Sequence, residues 1–170
     1  MAGACGGSDI YFTQFDRRQG WSEPEHFSCQ VDSGPNGAAD EQGSSYLTAH
    51  GDAQLYFSSG PDIYASEQLD DGSFGPAAPI AAMNSPFGDL RPNVRKGGLE
   101  IVFDSNRTGT LGGQDLYSAT RESIDDPWST PVNLGPVVNT SNNETHGSFW
   151  RGRRSTSAAH RARRARPTST

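Results

Sequence analysis

Three carboxylates stand at matching places along the sequence: Glu41, Asp89 and Glu144, each followed five residues later by an apolar side chain, Tyr46, Val94 and Phe149. Two carboxylates at a set separation can cleave a glycosidic bond, one protonating the leaving oxygen while the other attacks or activates water. The same acids in successive copies of one pattern also read as turn caps, because their oxygens can take up backbone N–H groups at the entry to a strand. A second series, Asp9, Asp62 and Asp115, is spaced by 53 residues in both steps. These could hold cations or a ring-shaped partner, but recurrence once per unit favours carboxylates that fix a turn. Trp21, Phe74 and Trp128 follow them at nearly constant distance. Aromatic faces of this kind can stack on sugars, and their fixed place favours filling space between neighbouring elements.

The other reactive side chains form no pattern. His26, His50, His146 and His160 include no pair three or four apart, and no HExxH occurs, which argues against zinc. Serines are plentiful without a G-x-S-x-G elbow, and the glycine pairs Gly97-Gly98 and Gly112-Gly113 lack the lysine of a phosphate loop. Cys5 and Cys29 flank a hairpin expected from about Gly7 to Phe27; they form either a disulfide in an oxidising compartment or two free thiols. Asn106, Asn139 and Asn143 each open an Asn-x-Ser/Thr triplet and read as ordinary loop residues. No metal and no cofactor is expected, and the only catalytic candidates are Glu41, Asp89 and Glu144.

The elements that must position these residues are strands. Glycine (20) and proline (11) are frequent, and apolar residues come in runs of two or three between turn formers, with no sustained helical period. Each of the spaced aspartates is followed by an apolar residue and a tyrosine: Tyr11, Tyr64 and Tyr117. Apolar runs at Leu55-Tyr56-Phe57 and Ile101-Val102-Phe103 complete the unit. A period of about 53 residues with four short strands is the content of one propeller blade. The spacing predicts innermost strands near 44–50 and 91–96, second strands near 54–58 and 99–104, third strands at 62–67 and 115–120, and outer strands near 77–81 and 131–134. The glycines ahead of the recurrent aspartate predict a tight turn at positive φ.

The stretch LRPNVRKGGLEIVFDSNRTGTLGGQDLYSATR (residues 90–121), followed by WSTPVNLGPVVNT, resembles the WD40-like β-propeller repeat of TolB-type proteins. The resemblance covers residues 6–150. The family's Ser-Pro-Asp-Gly turn reads Thr48-Ala49-His50-Gly51 and Arg95-Lys96-Gly97-Gly98 here, keeping the glycine without the Pro-Asp pair. The resemblance implies an all-β partial propeller of four-stranded antiparallel blades. It also implies a non-catalytic scaffold that contacts another protein or a cell-envelope polymer, in a periplasmic or secreted setting. The alternative is a glycosidase-like or peptidase-associated propeller using the carboxylates at the channel mouth.

Charge divides the chain. Residues 1–150 hold all 20 acids and seven basic residues, a balance of −13, whereas residues 151–170 hold seven arginines and no acid. An acidic body argues against nucleic acid as a partner, and no apolar run is long enough to span a bilayer. The Arg/Ala/Ser tail interrupts the pattern where another apolar run is due. It reads as disordered or as out of frame, so that residues 1–150 comprise an incomplete first blade, two whole blades and the start of a fourth. A basic binding arm is the competing reading. Open blade edges predict self-association.

Overall fold

The computed structural model describes residues 9–13, 15–26, 41–47 and 53–149. Cys5, Cys29, His50, Trp150, His160 and the arginine tail lie outside the described residues. The fold is all-β, with no helix among the described residues. Two short ribbons come first: β1 (Tyr11–Phe12) pairs with β4 (Glu25–His26), and β2 (Phe15–Asp16) with β3 (Gly20–Trp21). Two four-stranded antiparallel sheets follow, each a meander in which every strand pairs with the next. The first contains β5 (Glu41–Leu47), β6 (Ala53–Ser59), β7 (Asp62–Glu67) and β8 (Ala78–Pro79). The second contains β9 (Asp89–Val94), β10 (Glu100–Ser105), β11 (Asp115–Thr120) and β12 (Val132–Asn133).

The third strands fall at the expected residues, while the innermost strands begin earlier than expected. Glu41 and Asp89 do not precede β5 and β9 but are their first residues, and they pair with Ser59 and Ser105. The register between β9 and β10 slips between Val102 and Asp104, and Arg91 inside that slip has φ of 53°. Pro92, which has no N–H to give to the ladder, sits at this bulge, where a missing donor does least harm. β5 meets β6 without such a slip, so the equal spacing from Glu41 to Tyr46 and from Asp89 to Val94 hides a one-residue difference in pairing.

Alternation along each strand assigns the two faces of each sheet. In the first sheet Tyr56, Ile63 and Ala65 turn toward the second sheet, where they meet Val94, Ile101, Phe103, Tyr117 and Ala119 in one buried cluster. Met83, fully buried, closes this layer together with Ile80 and Trp128. The opposite face of the first sheet carries Leu55, Phe57 and Phe74, against which Ile10 packs. The first sheet thus packs on the second, and Ile10, the residue before β1, packs on the other face of the first sheet.

Candidate functional site

Asp89 opens β9 and is fully buried. Its Oδ2 accepts bonds from the Ser85 N–H (2.6 Å) and the Ser85 hydroxyl (2.7 Å), and its Oδ1 takes Nη2 of Arg107 at 2.6 Å. Arg107 also donates to the Met83 carbonyl and, through Nε, to Ser105 Oγ at 3.0 Å, and it lies over the rings of Phe103 and Tyr117. Glu144 repeats the first part of this arrangement 55 residues later. Thr140 donates its N–H to Oε2 (2.8 Å) and its hydroxyl to Oε1 (2.6 Å). With their oxygens engaged in this way, Asp89 closes the turn at the start of β9 and Glu144 closes the corresponding turn over residues 140–144. Glu41 opens β5, and its side chain lies outside the described ones.

An asparagine five residues before each of these two acids does equally repetitive work. Asn84 accepts from the Ile63 N–H (2.7 Å) and donates to the Ile63 carbonyl (3.0 Å). Asn139, also buried, makes the same pair with Leu116, at 2.9 and 3.0 Å. Asn36 stands five residues before Glu41. The sequence carried this signal, and reading Asn139 as an ordinary loop residue is corrected by its burial. Asn106 and Asn143 also brace backbone, accepting from the N–H groups of Gly88 and Gln114.

Asp9, Asp62 and Asp115 share a spacing but not an environment. Asp115 is fully buried. Its Oδ2 takes the Leu111 N–H and the Asn133 amide, both at 2.8 Å, and its Oδ1 takes the Gly112 N–H at 3.2 Å. Burial alone would raise its pKa, but the bonds from Leu111, Asn133 and Gly112 together outweigh it and hold the carboxyl below the ordinary aspartate value. Asp62 is half-buried and follows a two-residue connection, Gly60-Pro61, which is too short to fold back over it as the nine residues 106–114 do over Asp115. Asp9 instead pairs with His26, Oδ2 to Nε2 at 3.1 Å. The three carboxylates therefore differ in burial and in their described partners.

Gly60 does have positive φ, but Gly112 and Gly113 do not. A Cβ on Gly112 would lie 1.7 Å from the Asn142 carbonyl oxygen. This glycine is needed for close approach rather than for a left-handed turn, which corrects the reading of the pair. The aromatic series divides as well. Phe74 is buried, Trp128 meets Tyr56 edge-on at 6.2 Å under the Arg121 guanidinium, and Trp21 is exposed beside Phe15. The recurrent tyrosines divide in the same manner: Tyr117 is buried, Tyr64 is half-buried against Phe57, and Tyr11 is exposed against His26.

One cluster was not anticipated. Asp104, fully buried at the end of an apolar run, pairs with Nη1 of Arg91 at 2.6 Å and accepts the His146 backbone N–H at 3.2 Å. Arg91 Nη1 also reaches Gln114 Oε1 at 3.4 Å, while its buried Nε has no acceptor. Desolvation pushes the Asp104 carboxyl above the ordinary value, against the His146 N–H and the Arg91 charge, which pull it down. Arg91 and His146 have φ of 53° and 58°, a region costly for side chains larger than glycine. Chemically the cluster can present a guanidinium and an imidazole beside a carboxyl that gains a proton more readily than usual. No group of three or more metal-ligating side chains converges among the described residues. Compared with protein-family models and with curated proteins, the sequence matches none.

Proposed function

We propose that the chain is a non-catalytic scaffold or binding module of the TolB-like β-propeller kind, whose innermost strands face a protein or cell-envelope partner. The observation that carries the reading is a junction found twice. The Arg91 N–H on β9 donates to Ser58 Oγ of the first sheet (3.4 Å), and the His146 N–H donates to Asp104 of the second sheet (3.2 Å). Residues 144–149 thus reach the second sheet through the same donor position by which β9 reaches the first, and this supports a propeller-like stacking rule. Binding rather than hydrolysis is supported by Asp89 and Glu144, whose oxygens serve turns and an internal arginine. Arg91 and His146 supply the contact, each kept at a strained backbone position where glycine would cost less.

The test is co-sedimentation of the purified chain with insoluble peptidoglycan sacculi, with soluble fragments assayed in the same tubes. Binding without fragment release, weakened about tenfold by Arg91→Ala, is the expected result. Hydrolysis that disappears in a folded Asp89→Asn variant would replace the scaffold with a glycosidase-like enzyme. A chain left wholly in the supernatant moves the contact from the polymer to a protein.

A further inference from the structure

The two sheets carry corresponding faces with unequal cover. On the first sheet, Ile63, Ile80 and Met83 lie against the second sheet; Ile63 and Met83 are 0% exposed, and Ile80 is half-buried. Their counterparts on the second sheet are fixed by bonding pattern rather than by alignment. Leu116 is held by Asn139 as Ile63 is by Asn84. Leu134 donates to Leu116 as Ile80 donates to Ile63, and Val138 precedes Asn139 as Met83 precedes Asn84. Over the inner part of this second face lie residues 144–149, with Gly147 against Val102 and Leu116. Its outer part is open: Val132 is 64% exposed and Val138 42%.

The ribbons carry exposed aromatic side chains at the matching places of the pattern. In the second sheet, Tyr117 is buried against the first sheet and Trp128 meets Tyr56. The counterparts of these two residues in the ribbons, Tyr11 and Trp21, are 39% and 69% exposed, and Phe15 beside Trp21 is exposed too. The second sheet therefore displays the kind of face on which Tyr117 and Trp128 dock in the first, and the ribbons display the tyrosine and tryptophan that correspond to those two.

We infer that a second copy of this chain occupies the open face, in a head-to-tail contact that seats Trp21 and Tyr11 of one molecule against Val132, Leu134 and Val138 of the next. The inference rests on the stacking rule proposed above, and the template for the contact is the junction between the two sheets of a single chain. Because the two surfaces differ, the contact is heterologous and adds molecules into rings or open stacks instead of closing as a two-fold dimer. The apolar, aromatic composition of both surfaces is that of interface anchors.

Sedimentation velocity over a concentration series tests it. The wild type should exceed its 18.2 kDa monomer mass increasingly with concentration. Trp21→Ala and Val138→Glu should each return the chain to that mass, and Val132→Glu serves as an independent second change on the same face. All three alter exposed side chains, so circular dichroism and melting should stay as in the wild type. An equimolar mixture of Trp21→Ala and Val138→Glu retains one good surface of each kind and should form dimers that grow no further. A wild type that stays monomeric at all concentrations overturns the inference, as does association that survives both substitutions or a mixture that stays monomeric. Since sacculi binding is read separately, failure here does not bear on the scaffold reading.

Discussion

Asp104 and Asp115 are both fully buried aspartates on neighbouring strands of one sheet, yet they pull stability in opposite directions with pH. Asp115 is lowered in the fold, so its contribution is fully present above the unfolded value, about 3.9, and is lost as pH falls through the lower folded value. Asp115→Asn should cost about 2 kcal/mol at pH 7, because an amide group replaces an acceptor facing three donors. That deficit should shrink as the pH drops below about 3.9. Asp104 is raised, so its charged form opposes folding, and stability falls as pH rises from about 3.9 through the higher folded value. Asp104→Asn should therefore gain on the wild type across that window. Melting temperatures of the three proteins between pH 2.5 and 7 check both signs; parallel curves for wild type and Asp104→Asn would mean that Asp104 titrates like a solvated aspartate.

Turns hold the strands in place through a few side chains, and these are where substitutions should bite. Asn139→Ala leaves the Leu116 N–H and carbonyl without their side-chain partner in a buried position, a loss of about 2–3 kcal/mol by urea unfolding. Gly112→Ala must displace the Asn142 carbonyl and should cost at least as much, whereas Gly60→Ala meets open space and should cost only about 1 kcal/mol for its positive φ. Much of this scaffold was legible in the sequence. The third strands follow from Asp-apolar-Tyr, and the four-strand content follows from the spacing of apolar runs. The bulge at Arg91-Pro92 was not legible, because equal residue counts can pair with a slipped register. Asp104 escaped notice because an acid beside Ile101-Val102-Phe103 resembles a strand end meeting solvent; only the arrival of Arg91 and residues 144–149 from elsewhere buries it. The split fates of Asp62 and Asp115 depend on loop length, which periodicity averages away.

At the scale of the whole molecule, the two sheets share one core, and nothing in either suggests that it could keep its apolar face dry alone. Met83 belongs by chain to the turn after β8, but it is buried against the second sheet's residues, and its carbonyl receives the Arg107 side chain from the connection between β10 and β11. Arg107 then returns to Asp89, so one guanidinium links the end of the first sheet to the first residue of the second. In the stacked arrangement proposed above, stability would be the sum of each unit's own term and the terms between neighbours. Met83→Ala removes side-chain volume from the shared layer and should cost about 2–5 kcal/mol. The informative quantity is where that loss is felt. If the junction carries the stability, amide hydrogens of β7 and of β11 should exchange faster by the same factor, and unfolding should remain a single transition. Faster exchange confined to β7 would mean that the second sheet stands without its neighbour, and the stacking rule from which the scaffold reading starts would lose its energetic basis.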